Sequence, residues 1–248
     1  MDVMRLKDIS PDAVVFWAYG WVSLNATIVF TWAVMVLFVI IAWLGTRSLT
    51  SETRFSRWQN LLEVVINGMR NQIGEISGEK PRRYLAFVGT LFLFIALSNI
   101  LTIIPGFVAP TASLSTTAAL AILVFVAVPA YGIMDQGVGG YFRHYIQPTP
   151  LMLPFHIMGE LSRTLALAVR LFGNIMSGTK IAAVLLAVMP LIFPVVMQAL
   201  GLLTGLIQAY IFAVLAMVYI ASGTRARQER EEKVVAAGGG DQSTTQES

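Results

Sequence analysis

Three stretches of this chain contain no Asp, Glu, Lys, Arg or His: Ala13–Thr46, Tyr84–Met134 and Ile181–Thr224. A helix needs roughly 20 apolar residues to cross the hydrocarbon layer of a bilayer, so each stretch has room for at least one span. Backbone polar groups in lipid must be satisfied within their own segment or in a closed barrel. Unbroken apolar runs without strict alternation select helices. The pattern predicts spans over Asn25–Thr46, Tyr84–Ile104 and Ser115–Met134, with Pro129 bending the third and Gly137, Gly139 and Gly140 loosening the connection after it. Two longer helices are predicted from about Pro150 to Val188 and from about Leu191 to Ser222, turning at Met189-Pro190. The first of these approaches roughly 55 Å if continuous, so it must tilt, kink or lie partly in the interface.

Between the first two spans the period changes. Phe55, Trp58, Leu62, Val65, Met69, Ile73 and Ile76 recur at steps of three and four, with Asn60, Glu63, Asn67 and Arg70 on other faces. That predicts an amphipathic helix over about 54–77, lying on the membrane surface or packed on other protein. The fold class is therefore all-α: about five membrane helices plus a surface helix, the last two forming a long hairpin. The expected divisions are an outside N-terminal segment 1–24, a membrane domain 25–223 and a disordered cytoplasmic tail 224–248, rich in Gly, Ser, Thr and Gln.

Composition agrees and removes other classes. Charged residues make up 12% of the chain, against 56% hydrophobic, too few for the surface of a soluble domain. With no cysteine and only His144 and His156, there are no thiolate or histidine-rich metal sites to consider, and no metal or cofactor is expected. The net charge of +3 reflects Lys and Arg in loops rather than a nucleic-acid surface. Arg47, Arg54, Arg57, Lys80, Arg82, Arg83, Arg143, Arg225, Arg227, Arg230 and Lys233 fall on one side of the predicted spans, while the connections after Ile104 and Val188 are uncharged. The positive-inside rule puts that basic side, with the C-terminus and the surface helix, in the cytoplasm and the N-terminus outside.

The chemistry concentrates in the fourth span. Glu160, Arg163, Arg170, Asn174 and Lys180 interrupt it. An arginine at a helix centre costs about 2.5–3.5 kcal/mol on insertion scales, so it must face water or a partner. At 100° per residue Arg163 and Arg170 share a face, with Asn174 one turn on. Glu160 is placed to pair with Arg163, which at the interface needs no further role, and Lys180 can snorkel outward. Arg170 has neither escape, flanked by Leu165, Leu167, Val169, Leu171 and Phe172. On the last helix Gly201, Gly205 and Ala209 make a small-xxx-small packing face; Gln198, Thr204 and Gln208 add neutral polar groups.

Arg170-Leu171-Phe172-Gly173-Asn174, preceded by Leu165-Ala166-Leu167, resembles the motif of subunit a of the F-type rotary ATP synthases. So do Gln208-Ala209-Tyr210-Ile211-Phe212, Val218-Tyr219, and Ser98-Asn99 ahead of Pro105-Gly106; the resemblance covers about residues 25–223. It implies a non-catalytic, ion-translocating stator whose last two helices lie tilted against a rotor ring of c-type hairpin subunits, each bearing a membrane carboxylate. A b-type peripheral-stalk subunit and the lipid bilayer are the other implied partners, and a bacterial plasma membrane the implied location. An ion enters by one half-channel, neutralises a ring carboxylate, is carried almost a full turn and leaves by the other. Arg170 stands between the half-channels, with Asn174 and Gln208 beside the path and Glu160, Arg163, Asn99, Thr179 and Lys180 as a supporting polar stripe.

The chain departs from the family pattern in the outer half. Thr179 and Gly201 stand where many members carry an acid or a titratable partner, and Ser113, Ser115, Thr116 and Thr117 replace acidic or amide residues near the outer loop. H+ is the family's usual ion; a hydroxyl-lined path also suits Na+. The alternative function is a stand-alone secondary transporter with Arg170 as counter-charge to an anionic substrate. That fold predicts internal repeats or paired broken helices, which the sequence does not display. Nor does it contain a phosphate-cradling G-x-x-x-x-G-K-[ST] loop.

Overall fold

The computed structural model describes residues 15–19, 22–47, 57–77, 81–104, 106–146, 153–188 and 193–225. The expectations for the first residues, for Arg54 and Phe55, for the turn at Met189-Pro190 and for the tail beyond Arg225 lie outside these.

The long elements are helices, as the apolar runs require. They are α1 (Ala26–Arg47), α2 (Arg57–Ser77), α3 (Pro81–Ile100), α4 (Leu114–Ile146), α5 (Leu153–Val188) and α6 (Phe193–Arg225). Among the described residues, Ala26–Leu44, Arg83–Ile103, Leu114–Met134 and Val195–Ser222 are long and apolar enough to cross a membrane. This is a multi-pass membrane protein. The fifth long helix, α5, carries the charges noted above and is 36 residues long, about 54 Å at 1.5 Å per residue.

Two features differ from the sequence reading. A short antiparallel hairpin precedes α1: β1 (Val15–Tyr19) pairs with β2 (Val22–Asn25), Tyr19 opposite Val22 and Val15 opposite Asn25. Its Val, Phe, Trp and Tyr residues favour strands, but they merge in sequence with the apolar run of α1. The second is α4, which does not end at Met134. It continues to Ile146, interrupted at Gly137, whose φ of 73° and ψ of 162° are non-helical. The glycines expected to loosen a connection instead kink a helix, because only glycine enters that backbone region without strain.

Packing centres on α6, which contacts α3, α5, α4 and α2. One buried cluster joins Leu91 and Ile95 of α3, Leu120 and Val124 of α4, Leu167, Leu171 and Ile175 of α5, and Phe212 and Ala216 of α6. A second joins Ile73 of α2, Tyr84 and Val88 of α3, Ala127 and Val128 of α4, and Met217 and Ile220 of α6. Tyr84 and Phe87 both meet the Tyr131 ring, at 5.2 and 6.1 Å between centroids. Helix association in lipid rests on such close packing rather than on expelling water. α1 is peripheral: 11% of its span is buried, against 39% in the spans of α3, α4 and α6. Its Trp32, Val36, Val39 and Trp43 face outward, as apolar side chains in lipid can at no cost.

Candidate functional site

Arg170 lies close to the midpoint of α5. Its helix is fixed by the face that carries Leu167, Leu171 and Ile175, with 1%, 0% and 9% of their surface exposed. Burying those three turns Arg170 the other way, and it is exposed on the outside of the helix bundle. Ala166 and Val169 are exposed beside it, and the same face carries the exposed Arg163 and Ser177 and the half-buried Asn174. Among the described residues no side chain of the chain itself hydrogen-bonds or ion-pairs with Arg170. The Arg170 cation therefore stands on the lateral surface of the bundle, near the middle of α5.

One turn further on, Asn174 is half-buried and its Nδ2 donates to the Thr204 carbonyl of α6 at 3.4 Å. Asn99, 4% exposed, comes in from α3 and donates through Nδ2 to the Gly205 carbonyl at 2.9 Å. Gln198 of α6 donates through Nε2 to the Thr102 carbonyl beyond α3. Neighbouring carbonyls of α6 thus accept amide protons from two other helices. Gly205 is what admits Asn99: a Cβ there would lie 2.8 Å from Asn99 Cγ. Ala209, fully buried, continues the close face. Gly201 does not, being exposed with no neighbour within 4 Å of a Cβ position.

Gln208 is buried, and its Nε2 has no hydrogen-bond partner among the described residues. Leaving such a donor unmet costs about 1–3 kcal/mol, and no acceptor for it stands among the described residues.

Toward the α2 end of the molecule, Glu160, Arg163 and Thr164 line a cavity of about 20 Å³ with Tyr219 and Ser222 of α6. That is room for about one water. The Arg163 guanidinium lies 5.8 Å from the centroid of the Tyr219 ring, a cation–π contact. Thr164 donates to the Glu160 carbonyl at 2.9 Å. The polar stripe therefore continues onto α6 through Tyr219 and Ser222. Sequence spacing could not assign them, because pairing between helices is invisible in one helix's period.

In the other direction Thr179 and Lys180 are exposed, and Thr179 Oγ1 turns back onto the Ile175 and Met176 carbonyls at 3.1 and 3.0 Å. The hydroxyl residues of the 113–117 segment are packed inside only in part, Ser115 being exposed. Ser113 and Thr117 are fully buried, and Ser113 shares a 2.6 Å hydrogen bond with Ser115. Thr111, also fully buried, has an Oγ1 without a partner among the described residues. Thr116 is only half-buried.

Residues 28–221 match the family described as ATP synthase A chain. The chain belongs to the ATP synthase subunit a family. It is 57% identical over 224 residues to an ATP synthase subunit a of Albidiferax ferrireducens, covering 90% of this chain and 97% of that one. It is 59% identical over 220 residues to ATP synthase subunit a 2 of Acaryochloris marina, with 89% and 94% covered. Against ATP synthase subunit a 1 of Chlorobaculum parvum the identity is 57% over 221 residues, with 89% and 98% covered. Membership makes this subunit a an ion-transporting membrane component of the ATP synthase and not the seat of ATP chemistry, which lies on other subunits. The matched segment contains the Arg170 motif, Asn99 and Gln208.

Proposed function

We propose that this chain is the stator half of a rotary ion path, and that Arg170 works on a carboxylate carried past it by a rotor ring of c-type subunits. The observation that carries this reading is the exposure of Arg170 on the outside of the bundle, at the middle of α5, with no partner among the described residues. A cation placed there is tolerable only if a charged partner from another subunit meets it. A secondary transporter would instead turn its counter-charge inward to a cavity.

The chemistry follows from charge. A guanidinium beside a carboxylate favours the ionised form and lowers its pKa, typically by 1–3 units. A ring site arriving loaded with an ion releases it at Arg170, and the same fixed charge blocks direct passage between the two half-channels. Lysine is a poor replacement because it can lose its proton when desolvated. Glu160, Arg163, Thr164, Tyr219 and Ser222 serve the cytoplasmic half-channel, and their small cavity holds water. Asn174, Thr179, Lys180 and the buried hydroxyls form the outer one. Gln208, whose buried amide hydrogen is unmet among the described residues, offers a donor to the ion path inside the bundle. About 2.3 kcal/mol per charge per 100 mV is then available for rotation. The translocated ion is H+, the N-terminus is outside, the membrane is the bacterial plasma membrane and a b-type stalk holds the subunit still.

The test is ATP-driven ion uptake into vesicles containing the assembled complex. Arg170→Ala should lower it about 10- to 1,000-fold, the range a 1–3 unit pKa shift implies, with assembly intact. Undiminished uptake by a fully assembled variant would refute the role of Arg170. Labelled sodium uptake that persists with a protonophore would replace H+ by Na+.

A further inference from the structure

α6 is apolar on every side. Its Leu203, Ile207 and Tyr210 are exposed while Phe212 and Ala216 are fully buried. Lipid accepts any of these faces, so the hydrophobic pattern alone does not fix how the helix is rolled about its axis. We infer that Asn99 is a positioning residue: with Asn174 it clamps α6 at two successive carbonyls and so keeps the Gln208 amide turned into the bundle. The inference rests on the ion path proposed above, in which Gln208 supplies a donor.

Three observations carry this. The clamp grips from two directions. Asn99 of α3 donates to the Gly205 carbonyl at 2.9 Å, and Asn174 of α5 donates to the Thr204 carbonyl at 3.4 Å. A carbonyl has two lone pairs, so each can accept a side-chain amide beside its own helical hydrogen bond. Successive residues of an α-helix stand about 100° apart around the axis, so the two amides together resist rolling either way. Gln208 lies within that arc, one turn beyond the pair, about 40° from Thr204 and about 60° from Gly205. It is buried, with its Nε2 unmet among the described residues. Its direction is therefore set by the roll of α6 rather than by a hydrogen bond from that amide.

The anchor on α3 is itself held. Thr102 Oγ1 donates to the Asn99 carbonyl at 2.6 Å, near the end of α3, where carbonyls run out of helical partners. Gln198 Nε2 of α6 donates back to the Thr102 carbonyl. Gln198 and Gly205 are seven residues apart on α6, about 10 Å, so the end of α3 holds α6 at two levels and opposes sliding as well as rolling. Finally, space is reserved for the contact. Asn99 is 4% exposed, and a Cβ on Gly205 would lie 2.8 Å from its Cγ.

The experiment compares four complexes assembled in vesicles: wild type, Asn99→Leu, Gln208→Leu and the double variant, with ATP-driven uptake measured per assembled complex. Asn99→Leu keeps the shape of the side chain and removes its donor. Uptake should fall about twofold or more, and the double variant should be no slower than Gln208→Leu alone, because residues that act through one another are not additive. Undiminished uptake, or losses that multiply, would overturn the inference. The roll of α6 is also read without activity. The chain has no cysteine, so with cysteine-free partner subunits a nitroxide on Tyr210→Cys, at a position 47% exposed, is a unique reporter. Its accessibility to dissolved oxygen should shift in the Asn99→Leu background, and an unchanged value would show that α6 keeps its roll without Asn99. A silent Gln208→Leu would remove Gln208 from the ion path, a failure of the proposed path that the nitroxide separates from a failure of the clamp. Where Asn99→Leu does not assemble, Asn99→Ala takes its place; failure of both would make Asn99 a folding residue and overturn the positioning role.

Discussion

At the residue scale, the contact between Asn99 and Gly205 is the sharpest constraint. Asn99 must donate to the Gly205 carbonyl, and it can do so only because Gly205 has no side chain. Gly205→Ala forces a Cβ to 2.8 Å from Asn99 Cγ, an overpacking that typically costs about 1–3 kcal/mol. Asn99→Ala removes one interhelical hydrogen bond, worth about 0.6 kcal/mol in a membrane protein, and also the obstruction. The pair should therefore be non-additive: Gly205→Ala destabilises alone and much less in the Asn99→Ala background. Thermal unfolding of the detergent-solubilised complex, monitored by retention of subunit a on native gels, measures all four corners. Additive losses would mean that the two residues do not press on each other. Gln208 invites a different comparison. Gln208→Leu removes a buried donor with no partner among the described residues, so stability should be unchanged or higher by about 1 kcal/mol while ATP-driven uptake falls several-fold. A drop in stability with uptake preserved would make Gln208 mere packing.

At the element scale, α4 shows what a hydrophobic pattern conveys and what it hides. The apolar run from Ser115 to Met134 located the span, because lipid-crossing length is a one-dimensional property. It did not reveal that the helix resumes beyond the kink, since polar, glycine-rich sequence reads the same in a loop and in a broken helix. Gly137 and Gly139 separate the two cases. Gly137 holds a φ of 73° and ψ of 162°, where a side chain costs about 1–3 kcal/mol; Gly139 is helical and open, where alanine gains up to about 1 kcal/mol. Gly137→Ala should lower, and Gly139→Ala maintain or raise, the midpoint of thermal unfolding. Two equal responses would mean that the kink is not fixed at Gly137. The hairpin of β1 and β2 was hidden for a related reason: no charged residue separates it from α1, only the neutral Ser23 and Asn25. α5 was legible in the opposite way. Its charges stood out against an apolar background, and its 3.6-residue period put Arg163, Arg170 and Asn174 on one side. What the period could not supply was the neighbour across the gap. The Tyr219 ring under Arg163, the Thr204 carbonyl at Asn174 and the Gly205 carbonyl at Asn99 are relations between helices, set by which faces of α3, α5 and α6 meet.

At the scale of the whole molecule, the bundle has one end rich in fixed positive charge and one with almost none. Arg57, Arg70, Arg83 and Arg225 belong to α2, the start of α3 and the end of α6, whereas the 101–117 connection contains no ionisable side chain. Loops rich in Lys and Arg stay on the cytoplasmic side, so the helix directions and the charge together predict an orientation that can be measured directly. The chain has no cysteine, so a single introduced one is a unique reporter. Asn71 is exposed on α2 and Ile104 is exposed after α3, at opposite ends of that span. A membrane-impermeant maleimide should label Asn71→Cys only in inverted vesicles and Ile104→Cys only in right-side-out ones. The reverse pattern would turn the subunit over and exchange the two half-channels, placing the Glu160–Arg163–Tyr219 cavity on the outer path. Labelling of Asn71→Cys from neither side would mean that α2 is covered by another subunit rather than lying at the membrane surface.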